Sequence, residues 1–449
     1  MPNTNNIVLI VLDTMRKDAI SPYNKRLNTP NIEQLSKESM VFTNNITSAP
    51  WTVPSHASMF TGKYPMEHHI HFKNENRDFS STSRLMNNYP GVTIAEVLKK
   101  QGYTTYGMSA NMGIIPGSGF DRGFDAFTFF DPMGNFTLNN NWSLLLSKFS
   151  ERFGETHGEI LKNLIMNGNP KESFSYVSNY LKMRKEVEQS HKNYNFPLNK
   201  SGKTIIDTLH RTSFSQPFFL FINFMEFHEP YVKNFNPQKE QEYSLGIFTP
   251  TKRTINEVRN SYYLESKNVD WEIGEVIRFL KKSGIFEETT LMITSDHGQS
   301  LFENGFYGHS TYLYNELINV PLILKRATSN PKCQIVNQLF SNIGLFDLIK
   351  SIACDGEIIA PDFPFIISEA DGSGKVPKSL IVKNKEASQR LSNMNSQRRA
   401  IFKDDFKLVL NMKNGNVESF EKKEKPIKKE EYKVEFIDLM ETIELLGKD

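Results

Sequence analysis

The feature that most constrains this chain is an apolar run that ends abruptly on a carboxylate. Ile7-Val-Leu-Ile-Val-Leu12 contains no polar residue and is followed at once by Asp13. A run this short and this rich in β-branched residues predicts a central strand, buried on both faces, that delivers a polar group at its carboxyl end. The pattern returns twice. Phe218–Phe224 runs into Met225-Glu-Phe-His-Glu-Pro230, and Thr289–Ile293 runs into Thr294-Ser-Asp-His-Gly298. Val320–Leu324 and Thr104–Met108 read as further strands. Helical periodicity or start signals mark Thr29–Ser39, Thr93–Gln101, residues 254–282 and Leu345–Ile352. Alternating strands and helices predict an α/β fold with a mostly parallel sheet sandwiched by helices. Ligands of such sheets gather beyond the carboxyl ends of the strands. Asp13, His228, Asp296 and His297 are therefore expected to converge.

The remaining chain divides by composition. Residues 1–358 read as the larger unit, with a polar, helical insertion at about 135–215. Residues 359–449 read as a smaller α+β domain with short strands at Phe365–Ile367, Ala400–Phe402 and Lys407–Leu410. The Lys/Glu-rich stretch Glu421–Lys433 reads as a mobile, solvated loop. A formal charge of +2 gives no field for nucleic acid, so an anionic ligand must be held by local charge. Cys333 and Cys354 do not make a disulfide framework. The first apolar run is too short to span a bilayer and lacks the flanks of a signal peptide, and no other run is longer. A cytoplasmic location is the expectation, and the sequons at Asn45, Asn135, Asn141 and Asn199 then read as chance. Trp142–Phe149 in the insertion reads as a buried helix face in preference to a peripheral membrane contact.

Each candidate site residue has a bland reading. Asp13 would serve as a helix cap, Thr52 as the N-cap of the helix that follows it, and His228 as a turn residue. Together they fit one device: a divalent cation held by Asp13, Asp296 and His297, with Thr52 as a further oxygen ligand and nucleophile. A cation lowers the pKa of a hydroxyl it coordinates, and a helix N-terminus at Thr52 favours an incoming anion.

The blocks Asn6–Asp18, Thr29–Asn31, Trp51–Pro65, Gly119–Asp125, His228–Tyr231, Ser295–Gly298, Gly308-His309 and Val320–Leu322 occur in an order that resembles the sulfatase branch of the alkaline phosphatase superfamily. The resemblance implies an alkaline phosphatase-like fold over residues 5–330. It implies Asp13, Asp296 and His297 as metal ligands, Thr52 as nucleophile, and His228 and His309 as contacts to the transferred group or the leaving group. Lys63 would support the nucleophile helix or the substrate.

Departures from the family pattern narrow the chemistry. Sulfatases of this branch carry a Cys or Ser that is oxidised to formylglycine, then an Arg; here the block reads Thr52-Val-Pro-Ser-His56, which places His56 against the substrate. Threonine at that position resembles phosphoryl-transferring relatives that pass through phospho-threonine. Thr14 stands where many relatives have a second aspartate, and Asn111 is what remains of an anion clamp. Mixed oxygen and nitrogen donors favour Mn²⁺ or Zn²⁺ over Mg²⁺ or Ca²⁺, and a single ion is expected. The leading expectation is a hydrolase or phosphotransferase acting on phosphate esters of an anionic small molecule or glycan. A sulfuric ester hydrolase using unmodified threonine is the first alternative, and a catalytically silent protein that binds an anionic glycan the second.

Overall fold

The computed structural model describes residues 5–71, 82, 84–131, 137–139, scattered positions between 162 and 177, 200–231, 237–328, 332–372 and 385–446. In chain order the strands are β1 (Asn6–Leu12), β2 (Met40–Ile46), β3 (Thr104–Ser109), β4 (Ala126–Phe130), β5 (Thr137–Asn139), β6 (Phe218–Phe224) and β7 (Thr289–Thr294). A two-stranded hairpin follows, β8 (Ser300–Leu301) and β9 (Tyr307–Gly308), then β10 (Asn319–Lys325) and β11 (Gln334–Ser341). Among the described residues the main sheet has nine strands in the order β11-β2-β10-β7-β1-β6-β3-β4-β5. The neighbours of β1, strands β6 and β7, run parallel to it, as do β3 beside β6 and β4 beside β3. Only β10 and β5 run against their neighbours.

The alternation of side chains along β1 shows why it must be apolar throughout. Val8, Ile10 and Leu12 enter one core, while Ile7, Leu9 and Val11 enter the other. The first core is closed by the helices Pro30–Ser36, Gly202–Arg211 and Lys252–Lys282. The second is closed by Thr52–Thr61, Ile94–Lys100 and Gly344–Asp355. With both faces covered, each central-strand side chain leaves water entirely, at about 25 cal/mol for every Å² of apolar surface buried.

After the main sheet comes a second, antiparallel one: β12 (Ile366–Asp371), β13 (Gln397–Lys403), β14 (Phe406–Asn411), β15 (Val417–Lys422) and β16 (Lys425–Pro426). One face packs Ile401, Leu408, Leu410 and Phe420 under Leu439 and Ile443 of the helix Lys433–Leu446. The other face meets the large unit, with Ile366, Ala370 and Phe402 in one cluster with Ile46, Leu317 and Ile318.

Two expectations change. The stretch Glu421–Lys433 is not a free loop at its start: Glu421 lies in β15, where its carboxylate takes a hydrogen bond from Asn315 at 2.6 Å and pairs with the buried Lys407 at 3.5 Å. A partner across the strand turns a charge run into sheet. The helical insertion at 135–215 falls mostly outside the described residues, Trp142–Phe149 entirely so. Its last part, Gly202–Arg211, is a helix of the main core, because Ile205, Ile206 and Leu209 fill one face of it. None of the described helices is long and apolar enough to cross a membrane.

Candidate active site

Register brings the site together. Leu12 pairs with Phe224 on one side and Val11 with Thr294 on the other, so the three central strands end level. Asp13, the Met225–Glu229 loop and the Ser295–Gly298 loop therefore open into one space. Asp13 is buried, and its backbone N–H bonds to Phe224 O at 2.9 Å. Ser295 knits the loops: its hydroxyl donates to Leu12 O or His297 O, both at 2.6 Å, and accepts from Met15 N at 3.0 Å. The chain can turn there only because Thr14 adopts φ +56°, a left-handed conformation that costs a β-branched residue on the order of 1–3 kcal/mol.

Three ligand atoms from Asp13, Asp296 and His297 lie within 4.8 Å of one another, all buried. Oδ1 of Asp296 accepts from the backbone of His297 at 2.8 Å and of Thr14 at 3.2 Å. Its Oδ2 and Oδ1 of Asp13 have no hydrogen-bond partner, and they lie 3.5 and 4.0 Å from His297 Nε2. Burial, and then the charge of Asp296, holds the Asp13 carboxyl well above its ordinary value, and burial lifts Asp296 to about 7. His297 donates through Nδ1 to Gly298 O at 2.8 Å, which leaves Nε2 as the lone-pair nitrogen. Two buried carboxylates with orphaned oxygens facing an imidazole lone pair fit a divalent cation.

Thr52 is the first residue of its helix, and the cap is Trp51. The N-cap reading of Thr52 is thereby corrected: its hydroxyl makes no capping bond. It lies 3.5 Å from Asp13 Oδ2 and 3.4 Å from His297 Nε2, and Asn111 Nδ2, 2.6 Å from the same Asp13 oxygen, is 3.5 Å from it. The helix is tied to the Ser295–Gly298 loop from beneath, where Ser55 and Thr47 both donate to Asp296 O, at 2.7 and 2.5 Å.

His228, Glu229 and His309 form a neighbouring group whose ligand atoms also lie within 4.8 Å of one another. The His309 ring stands 4.6 Å from that of His297 and 5.4 Å from that of His228. Burial works against charge on His228, but Glu229 and Asp13 outweigh it and raise its pKa. Burial holds His309 at about 3, and the two imidazoles overcome burial to hold Glu229 at about 2. Gln299 links the group, accepting from His309 Nδ1 at 2.8 Å and donating to Glu229 Oε2 at 3.3 Å.

Two expected substrate contacts are elsewhere. His56, one helical turn after Thr52, points inward. Its Nδ1 donates to Thr52 O at 3.0 Å, its ring stands among Phe60, Phe120 and Phe221, and burial lowers it to about 3. It is a neutral support under the cluster. Lys63 follows the Gly62 cap at the far end of the helix, about 15 Å along its axis from Thr52. There it is half-exposed and paired with Glu67 at 3.0 Å. Sequence reasoning passed over Glu229 and Gln299, although each adjoins a motif, Glu229 beside His228 and Gln299 beside Gly298.

The family model described as Sulfatase matches residues 5–353. The chain belongs to the Sulfatase family. Among its relatives are steryl-sulfatase of Rattus norvegicus, 25% identical over 78% of this chain and 67% of that protein, and an arylsulfatase of Clostridium perfringens, 25% identical over 67% and 64%. The chain thus spans about two thirds of the length of these relatives. In three dimensions it superposes on the phosphonate monoester hydrolase of Agrobacterium radiobacter with a TM-score of 0.60, at 16% identity, covering 99% of this chain and 95% of the other. The fold of this Sulfatase-family chain, a large mixed and mostly parallel sheet between helices with a smaller antiparallel sheet after it, is the fold of these structures.

Proposed function

We propose that this chain is a metal-dependent hydrolase of phosphate esters that works through Thr52 and a covalent phospho-threonine intermediate. The observation that carries the reading is the Thr52 hydroxyl, free of any capping bond and aimed between Asp13 and His297. Asp13, Asp296, His297 and Thr52 would hold the cation, with Mn²⁺ or Zn²⁺ favoured by the mixed donors. Bound there, it would lower the pKa of the threonine hydroxyl and draw charge from a phosphoryl oxygen.

The chain's own groups supply the rest. Ionised before attack, Thr52 Oγ would form a bond to phosphorus as the bond from phosphorus to the leaving oxygen breaks, and His228, partly open to the cleft, would give that oxygen a proton. Water then attacks the phospho-threonine, returning its proton to His228 and releasing phosphate. Asn111 holds Asp13 in place and offers an N–H beside the nucleophile. Threonine cannot become a formylglycine aldehyde, which supports phosphorus as the atom attacked, and the phosphonate monoester hydrolase fold neighbour is consistent with it. The substrate class is an ester of an anionic small molecule or glycan.

The test is an intact-mass measurement on the Mn²⁺-loaded protein quenched during turnover of an aryl phosphate, a phosphodiester and an aryl sulfate. A gain of one phosphoryl group on Thr52, absent in Thr52→Ala, supports the reading. Turnover of the sulfate alone refutes it in favour of the second reading, sulfate ester hydrolysis by unmodified threonine, toward which the names of the sulfatase relatives point.

A further inference from the structure

Two buried acids stand behind the loop that carries His228, and the reaction uses neither. Glu226 lies in that loop, two residues before His228, and Glu272 is a buried residue of the helix Lys252–Lys282. Their carboxyls meet over a glycine: a Cβ on Gly202 would stand 1.7 Å from Glu272 Oε1 and 2.5 Å from Glu226 Oε1. The Glu272 carboxyl donates a hydrogen bond to Glu226, whose Oε1 also accepts from Gly202 N at 3.1 Å. Beyond their contact with each other, Oε2 of each acid meets no donor.

Two carboxyls in contact in a dry interior cannot both be charged. The charged groups that face them are Lys200 and Glu265. Lys200 Nζ gives hydrogen bonds to the main-chain carbonyls of Glu226 at 2.7 Å and of His228 at 2.6 Å, and it lies 3.8 Å from Glu265. Burial pushes Glu226 up to about 7. Burial, and then the charge of Glu226, pushes Glu272 well above the ordinary carboxyl range. The loop is thus gripped through two carbonyls held by Lys200 and through one side chain held jointly by Gly202 N and Glu272.

We infer that Glu226 and Glu272 are positioning residues: the hydrogen bond between their carboxyls clamps the His228 loop to the long helix and so fixes where His228 meets the leaving oxygen. The inference rests on the proposed function only in the part given to His228. Both acids ionise at higher pH in the folded chain than their ordinary 4.5. The unfolded chain therefore sheds these protons first, and the stability they confer is full below about 4.5 and falls as pH rises toward about 7 and beyond.

The experiment compares the full-length wild type with Glu272→Gln, which keeps an N–H for Glu226, and Glu272→Met, which keeps the side-chain length and loses the donor. Circular dichroism shows that each is folded. Hydrogen exchange of the amides of residues 225–231 should be at least 10-fold faster in Glu272→Met and within about 3-fold of the wild type in Glu272→Gln. For an aryl phosphate, kcat should fall at least 10-fold in Glu272→Met with KM within about 3-fold, because the proton from His228 is needed only in the transition state. Glu272→Gln should keep kcat. In urea unfolding, the ratio of wild-type to Glu272→Gln folding constants should fall at least about tenfold per pH unit from about pH 5 to about pH 7. Exchange and kcat unchanged in Glu272→Met, equal losses in Glu272→Gln, or a ratio flat with pH would each overturn the clamp. A wild type that leaves every phosphate ester untouched would sink the threonine reading instead, and exchange and the unfolding ratio would still decide the clamp.

Discussion

Asp296→Asn tests the cation reading of the first ligand group through stability alone. In the metal-free protein Asp13 and Asp296 are both fully buried within one cluster, and one oxygen of each lacks a partner. Asparagine keeps Oδ1 for the two backbone N–H groups it now accepts. Its amide would replace the orphaned Oδ2, 3.5 Å from the His297 Nε2 lone pair, and so put a donor where the wild type must either bury a charge or hold a proton. Relief of one uncompensated buried charge is worth roughly 1–3 kcal/mol. Unfolding entropy near 2.1 cal/mol/K per residue makes that about 1–3 °C for a chain of 449 residues. In chelator the variant should therefore melt above the wild type. Added Mn²⁺ should reverse the order, because saturation at about 100 times the dissociation constant stabilises the wild type by ~2.7 kcal/mol and gives the variant little. The assay is differential scanning fluorimetry across a Mn²⁺ titration. If the variant melts lower in chelator and still gains as much from Mn²⁺ as the wild type, Asp296 is not a ligand and the reasoning fails.

Other substitutions probe the surroundings. Gly298→Ala would place a Cβ 2.0 Å from Glu316 O, a backbone atom that cannot swing aside; a loss of ~1–3 kcal/mol in thermal unfolding and at least 10-fold weaker Mn²⁺ binding are expected. Asn111→Ala removes the 2.6 Å bond that fixes Asp13 and should weaken the metal roughly 10–100-fold in a chelator competition, with circular dichroism unchanged. Lys325 is buried, and burial lowers it to about 8. Between that value and its unfolded value near 10.5 the unfolded chain binds more protons, so stability attributable to Lys325 rises with pH in that window. The wild type minus Lys325→Met difference in urea unfolding should grow by ~1–3 kcal/mol from pH 8 to pH 10, and a flat difference would refute it.

Much of the site was legible because of where polarity begins. Asp13, His228, Asp296 and His297 each follow an apolar strand, and a parallel sheet gathers such ends. The strands that escaped reading lack that contrast. β2 carries Thr43, Asn44 and Asn45 in its middle, and β11 is exposed along much of its length, so neither shows an unbroken apolar run or a clean alternation. His56 and Lys63 point away from the Thr52 hydroxyl for the opposite reason. Both are close to Thr52 in sequence, but a helix carries one inward after four residues and the other to its far end. Glu229 was overlooked because a carboxylate in a turn gives no signal until Gln299 and His309 are folded against it.

The level ending of β6, β1 and β7 has a further consequence. Because β1 stands between the other two, the loops that carry His228 and Asp296 are two strand spacings apart, roughly 9–10 Å at the backbone. That separation is set by main-chain hydrogen bonds and is indifferent to side-chain identity. Substitution in the loops can change what each side of the cleft grips, whether imidazole, carboxylate or amide, while the gauge between the two sides stays constant. The sheet thus acts as a ruler, and the chemistry can vary only within the length it measures.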